Sequence, residues 1–295
     1  MHRSGFVALI GRPNVGKSTL LNALVNEKVA IISERPQTTR NQIRAVLTRL
    51  EDQVIFIDTP GLHKPKHRLG SVMVQKALNT MQEVDLIYFM VEAQHAPGLG
   101  DKYISEILKA VESPIFLVLN KSDLIAPEKL DRYRDLYLKL GCYADCFNIS
   151  ARYNQNLSTL IERTVSYLPE GPQYYPPGMI TDQPERFIAS EIIREKLIAL
   201  TRQEIPFSVA VVIQEMKTRE KSDLLDIWAE IYVERKSQVG IIVGKGGGLL
   251  KETGIKARKE LEVLFGQPIF LDLRVKVKQK WRNREEELRR LGYSD

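Results

Sequence analysis

Cysteine is scarce in this chain: Cys142 and Cys146 are the only two in 295 residues. They supply neither a disulfide framework nor the second pair that a four-ligand zinc site needs, so they read as ordinary thiols in a reducing compartment. Long hydrophobic runs are missing as well. No apolar stretch approaches the roughly 20 residues of a membrane-spanning helix. The N-terminus passes straight into a strand-like segment without the apolar core of a secretory signal, and a cytoplasmic protein is expected. Internal repeats and low-complexity tracts are absent. Hydrophobic residues at 43% and charged residues at 27% exclude a disordered or fibrous chain. The excess of basic over acidic residues is modest, a net charge of +6, which permits a polyanionic partner without requiring one. The length suits two domains, each able to bury a core.

The most informative stretch is Gly11-Arg12-Pro13-Asn14-Val15-Gly16-Lys17-Ser18, followed by Thr19. It fits G-x-x-x-x-G-K-[ST], the pattern of a loop that wraps a phosphate chain. The apolar run Phe6 to Ile10 before it reads as a buried strand, and Thr19 to Leu24 after it as a helix start. In that setting the glycines let the backbone close round phosphates while the amides point inward at a helix N-terminus. Lys17 brings positive charge, and Ser18 offers a hydroxyl to magnesium.

Four further polar segments follow. Ser33 to Arg40 is polar and aperiodic with a proline, so it reads as an exposed loop; Thr39 is assigned to the magnesium, with Thr38 as the rival. Asp58-Thr59-Pro60-Gly61 places a carboxylate where it can hold magnesium through water and a glycine amide where it can meet a terminal phosphate. Asn120-Lys121-Ser122-Asp123 matches N-K-x-D. Guanine presents N1–H and its exocyclic amine side by side, and the Asp123 carboxylate accepts from both, whereas adenine opposes a lone pair to it. The pair Ser150-Ala151 fits a final base-contacting turn.

Strand-like runs at 6–10, 44–50, 53–57, 86–91, 115–119 and 147–149 alternate with helical patterns. This predicts a mostly parallel six-stranded sheet with helices on both faces, ligands binding at the carboxyl ends of its strands. The Pro- and Gly-dense stretch from Leu168 to Gly178 is the best candidate linker. The expected divisions are 1–172 for a nucleotide domain, 173–185 for a linker, 186–278 for a smaller α+β domain, and 279–295 for an extension that includes Trp281. In the α+β part a helix is expected at 186–202, strands near 208–216 and 227–234, a helix at 249–265 and a strand at 269–277. Gly244-Lys245-Gly246-Gly247 precedes that last helix and fits G-x-x-G, a loop that clamps a single-stranded nucleic-acid backbone; a plain glycine turn is the alternative. Arg274, Lys276, Lys278, Lys280, Arg282 and Arg284 alternate, and a persisting strand would place them on one face as a phosphate-tracking stripe or a charged protective edge.

In Gly11 to Ser18, Thr39, Asp58 to Gly61, Asn120 to Asp123 and Ser150-Ala151, the first half resembles the translation-factor-related class of GTP-binding proteins. The order helix-strand-strand-helix-helix-strand of the second half resembles a type II KH domain. Together they resemble the Era family of bacterial GTPases over nearly the whole chain. The resemblance implies GTP hydrolysis to GDP and phosphate with magnesium held by Ser18, Thr39 and Asp58, nucleotide contacts from Gly11 through Thr19, Asp58, Gly61, Asn120, Lys121, Asp123, Ser150 and Ala151, and catalysis involving Lys17, Thr39, Gly61 and Asn14. It further implies RNA contacts from Gly244, Lys245, Gly246, Gly247, Lys251, Arg274, Lys276 and Lys278 to the 3′ region of 16S rRNA, a role in maturing the small (30S) ribosomal subunit, a monomer, and loose association with the inner membrane.

One feature marks a departure, and a second bears on it. Leu62 stands where Ras-like enzymes carry a water-orienting glutamine, leaving His63 as a conceivable substitute, and Asn14 matches relatives in which this side chain helps hold potassium beside the phosphates. Leu62 favours one rival reading, a GTP-sensing RNA scaffold without catalysis; a second rival is a GTPase whose KH-like domain docks on protein, as KH-like folds in some GTPases do. The base-reading role of Asp123 gives a direct prediction. Asp123→Asn turns one acceptor into a donor, so preference moves from guanine toward xanthine, whose 2-position bears oxygen; in competition between the two nucleoside triphosphates, an undiminished guanine preference would refute the assignment.

Overall fold

The computed structural model describes residues 2–33, 35, 38–201, 205–220 and 222–294. Glu34, Pro36 and Gln37 of the expected loop, Arg202 at the expected helix end, and the terminal residues Met1 and Asp295 lie outside the described residues. Contacts divide the chain into two compact units: residues 1–32, 36–66 and 70–182 form the first, and residues 33–35, 67–69 and 183–295 the second.

The first unit is built as β1 (Arg3–Gly11), α1 (Lys17–Val25), β2 (Ile43–Thr48), β3 (Asp52–Asp58), α2 (Arg68–Met81), β4 (Leu86–Glu92), α3 (Leu99–Leu108), β5 (Ile115–Asn120), α4 (Pro127–Leu138), β6 (Asp145–Asn148) and α5 (Leu157–Tyr167). Six strands make one sheet in the order β2-β3-β1-β4-β5-β6. Only β2 runs antiparallel, as the hairpin partner of β3. The central strands are apolar on both faces because helices cover both. Ile87, Phe89 and Val91 of β4, for example, are wholly buried in one cluster with Ala77 of α2, Ile104 of α3 and Tyr137 of α4. Chain order reverses beside β1, which pairs with β3 on one side and β4 on the other. A ligand crevice belongs at that point, at the carboxyl ends of the strands.

Two connections are held by specific contacts. The turn between β2 and β3 is held by a local clamp: Arg49 N–H donates to the Asp52 carbonyl at 2.8 Å, and Arg49 Nε donates to its carboxylate at 2.7 Å. Residues 173–182, read from composition as linker, lie against the first sheet. Gln53 Oε1 accepts from the amides of Tyr174 (2.8 Å) and Tyr175 (2.9 Å), and Val46 N–H donates to the Ile180 carbonyl at 2.7 Å. The segment thereby covers the outer edge of β2, whose backbone groups would otherwise be open to pairing with another chain.

The second unit contains α6 (Glu185–Leu200), the short α7 (Ile205–Ser208), β7 (Ala210–Thr218), β8 (Leu225–Val233), α8 (Lys236–Val243), α9 (Gly248–Phe265), β9 (Ile269–Val277) and α10 (Glu285–Arg290). Its sheet has the order β7-β8-β9, with β7 antiparallel and β9 parallel to β8. Ile227, Ile231 and Val233 of β8 are wholly buried with Ile193 and Leu197 of α6 and Ala257 and Leu261 of α9. Among the described residues no helix is long and apolar enough to cross a membrane.

The alternating basic run does not make a continuous stripe, because β9 stops at Val277. Lys278 instead donates to Glu287 at 2.5 Å and sits over the Tyr232 ring, and Arg282 pairs with Glu234 at 2.5 Å. What redirects the chain is Trp281, wholly buried, its indole N–H donating to the Ser208 carbonyl at 2.9 Å and its ring stacked on Tyr293. The segment after residue 278 is therefore part of the second core. Trp281→Ala is expected to cost about 3–5 kcal/mol, read as a lower urea midpoint; a midpoint unchanged from the parent would remove Trp281 from the core.

Candidate nucleotide site and nucleic-acid interface

The phosphate loop joins β1 to α1. Gly16 has φ of +99°, a left-handed conformation open to glycine, and an added Cβ would lie 2.2 Å from Asn120 Nδ2. α1 begins at Lys17 with no acidic residue in its first turn and no side-chain cap, so its first amides remain available to an anion. Lys17 is buried, and its Nζ donates to the carbonyls of Arg12 (3.1 Å) and Gly11 (3.4 Å). Burial pushes its pKa down, opposed by the charge of Asp58.

Ser18, Thr39 and Asp58 meet beside it. Asp58 Oδ2 accepts from Ser18 Oγ at 2.5 Å and from Thr39 Oγ1 at 3.1 Å, and the two hydroxyl oxygens are 2.9 Å apart. It is thus the Thr39 hydroxyl that reaches the carboxylate. The other carboxylate oxygen, Asp58 Oδ1, is buried with no hydrogen-bond partner among the described residues. Burial drives the Asp58 pKa up, against the pull of Lys17 and the two hydroxyls. Two hydroxyls around a buried carboxylate, with one oxygen unsatisfied, are a hard donor set that fits magnesium.

Gly61 packs on the phosphate loop, where an added Cβ would stand 2.6 Å from Pro13 N. Leu62 donates its N–H to the Gly11 carbonyl at 3.1 Å and is buried in the core cluster with Ile10 and Val74. Its side chain is a packing element, which accounts for an apolar residue at this position. The His63 ring nitrogen Nδ1 lies 2.8 Å from the Gly61 carbonyl.

Asn120, at the end of β5, knits three loops together. Its Nδ2 donates to the Val15 carbonyl at 2.9 Å, and its Oδ1 accepts from the Ala151 N–H at 3.0 Å. Lys121 donates to the Asn14 carbonyl at 2.9 Å and pairs with Glu92. Asp123 follows in a short 3-10 turn and is exposed, its carboxylate open to a ligand. Ser150 is wholly buried, as is Ala151 almost entirely. Hydrogen bonds therefore bring Ser18, Thr39 and Asp58 together and tie the phosphate loop to Asn120 and Ala151 at the carboxyl ends of the strands.

In the second unit, Gly244, Gly246 and Gly247 have φ of +74°, +58° and +78°, so the loop between α8 and α9 turns through conformations that other residues avoid. Lys245 is exposed at its tip. A groove of about 420 Å³ runs from this loop, lined by Gly247, Leu250, Lys251, Ile255, Arg258 and Phe270 among others. Lys251 lies in its lining. Ile255 and Arg258 were not singled out, although their spacing of four and seven residues from Lys251 places all three on one helix face. Arg274, Lys276 and Lys278 do not line it. Arg274 pairs with Asp272 at 3.0 Å and lies over Trp228, Lys276 pairs with Glu230, and Lys278 pairs with Glu287.

The sequence matches the family described as 50S ribosome-binding GTPase over residues 6–121 and the KH domain family over residues 204–282. It is 52% identical to the GTPase Era of Alkaliphilus oremlandii (strain OhILAs) over 291 residues, 99% of both chains. The chain belongs to the Era family of GTPases. A crystal structure of Era in complex with MgGDPNP and nucleotides 1506–1542 of 16S ribosomal RNA superposes with a TM-score of 0.96 at 41% identity, covering 100% of each chain. A variant Era from Aquifex aeolicus bound to GDP and AlF4− gives 0.94 at 40% identity, covering 99% of this chain and 100% of that one. The Era relationship accounts for both halves together, the six-stranded nucleotide-binding sheet and the KH-type unit.

Proposed function

We propose that this Era-family chain hydrolyses GTP to GDP and phosphate and binds the 3′ region of 16S rRNA during assembly of the small ribosomal subunit. The observation that carries the first part is the meeting of Ser18, Thr39 and Asp58 at the N-terminus of α1, beside Lys17 and under the Asn120 bridge. In this reading Gly11 through Thr19 surround the phosphates, and Lys17 neutralises their charge. Asp123 takes the guanine donors, with Lys121, Ser150 and Ala151 framing the base. Ser18, Thr39 and Asp58 hold magnesium, which when bound stabilises charge on the reacting phosphate oxygens. Gly61 presents its amide at the terminal phosphate.

With Leu62 committed to the core, no side chain directly after D-x-x-G can orient water. In this reading catalysis leans on charge and position, and Asn14 would help hold a potassium ion that would supply charge without an arginine finger. Hydrolysis is accordingly expected to run faster when potassium replaces sodium at constant ionic strength. Equal rates in the two salts would discard the potassium role.

The RNA part rests on the Gly244–Gly247 loop opening onto the groove beside α9. A KH loop clamps about four nucleotides of single-stranded backbone, with its glycines close to phosphates and the following helix N-terminus facing them. The related Era complex contains 16S rRNA nucleotides, which favours the small subunit over the large one named in the broader family description. A cytoplasmic monomer, touching the inner membrane only peripherally, belongs to the same reading.

The test replaces Lys245 and Gly246 by aspartate. Negative charge then faces phosphate where a cation stood, while Gly244 and Gly247 remain to form the turn. The double variant should lose affinity for a 16S 3′-end oligonucleotide at least tenfold, with a shallower salt dependence, and keep its GTP affinity. Full RNA binding by the folded double variant would refute the RNA assignment.

A further inference from the structure

The phosphate loop is braced by a side chain that the proposed chemistry does not use. Arg12 Nε donates to Asp101 Oδ1 at 2.7 Å, a pair 89 residues apart in the chain. Asp101 stands in the first turn of α3 and is wholly buried. Its second oxygen accepts from the Gly98 N–H at 2.9 Å and from the Tyr137 hydroxyl of α4 at 3.4 Å. Gly100 gives the arginine room, since a Cβ there would lie 2.6 Å from Arg12 Cδ. The backbone carbonyl of the same Arg12 accepts from Lys17 Nζ. One residue is thus joined through its side chain to α3 and through its carbonyl to the phosphate-binding lysine.

Helix capping alone does not account for this arrangement. A cap needs one oxygen, whereas both oxygens of Asp101 are engaged and the residue is wholly buried, and a buried carboxylate is costly unless a cation meets it. Arg12 is the cation hydrogen-bonded to it. The neighbouring charges, Lys121 and Glu92, pair with each other, and Lys121 holds the loop separately at the Asn14 carbonyl. The loop is therefore braced at residue 12 from α3 and at residues 14 and 15 from the end of β5.

We propose that Asp101 is a positioning residue for nucleotide binding, fixing the phosphate loop through Arg12 in the shape that receives phosphates. The inference rests on the reading of Gly11–Ser18 as the phosphate site. Because the brace acts on loop backbone and touches no reacting atom, its loss weakens ground state and transition state alike. The effect then falls on affinity for both GDP and GTP, and little on turnover at saturation.

The full chain is compared with Asp101→Ala, Arg12→Ala, the double variant and Asp101→Asn, using a fluorescent GDP analogue for Kd and GTP for steady-state kinetics. Losing a charge-assisted hydrogen bond to a buried group is expected to raise Kd and KM about ten- to a hundredfold, with kcat falling less than threefold. The double variant should bind no more weakly than the weaker single variant, because the two side chains act as one unit. It should also melt at a higher temperature than Arg12→Ala, which leaves Asp101 buried without its cation. A folded Asp101→Ala with Kd within twofold of the parent overturns the inference, even if its melting temperature falls, as does a double variant whose loss equals the product of the single losses. Should Asp101→Ala fail to fold, Asp101→Asn keeps an oxygen for Gly98, and parental affinity there overturns the inference equally. Failure of the parent chain to bind the GDP analogue would overturn the phosphate-site reading and this inference together, whereas parental binding with unaffected variants overturns this inference alone.

Discussion

The side-chain amide of Asn120 is the contact on which the nucleotide site depends. Loops that leave neighbouring strands at one edge of a sheet carry backbone groups that are buried yet outside any ladder, and each unpaired group costs about 1–3 kcal/mol. Asn120 answers two of them at once, donating to Val15 in the phosphate loop and accepting from Ala151 in the turn after β6. An amide can do this because it carries donor and acceptor on one planar group. The same bond pair sets the distance between the phosphate loop and the turns that frame a base, and Gly16 is needed partly because the amide lies against it.

Charge is arranged in the same economical way. Lys17 and Asp58 are both buried, and burial pushes each toward its neutral form while the opposite charge of the other resists. Neither is fully compensated by the protein: Lys17 is directed to loop carbonyls, and one oxygen of Asp58 has no hydrogen-bond partner among the described residues. A phosphate chain and a divalent cation are species whose charges would complement both at once. The Arg12–Asp101 brace and the Lys121 contact hold this arrangement from the outside, so that little of the loop has to be ordered when ligand arrives.

The second unit presents a different kind of surface. Its glycine loop is exposed, its cation is at the tip, and the groove beside α9 mixes apolar side chains with Lys251 and Arg258. Such a surface suits a flexible single strand whose bases need apolar contact and whose backbone needs charge. The basic residues of β9 are spent largely on internal ion pairs with Asp272 and Glu230. They hold the open face of the sheet in balance and add little free positive charge.

The sequence by itself determined the chemistry of the nucleotide site and the class of both units. Motifs of this kind confine a few residue types to contiguous positions, so Gly11–Ser18, Asp58–Gly61, Asn120–Asp123 and Gly244–Gly247 are legible as patterns without coordinates. Alternating strand and helix patterns likewise announced a mostly parallel sheet. Tertiary structure alone decided which threonine of the loop meets Asp58, that Leu62 faces the core, that residues 173–182 cover β2, and that Arg12 is held by Asp101. It also decided that the chain leaves β9 after Val277 to bury Trp281. Each of these depends on which distant segments become neighbours, and that is set by sheet order and by the packing of whole cores, quantities that no short stretch of residues records.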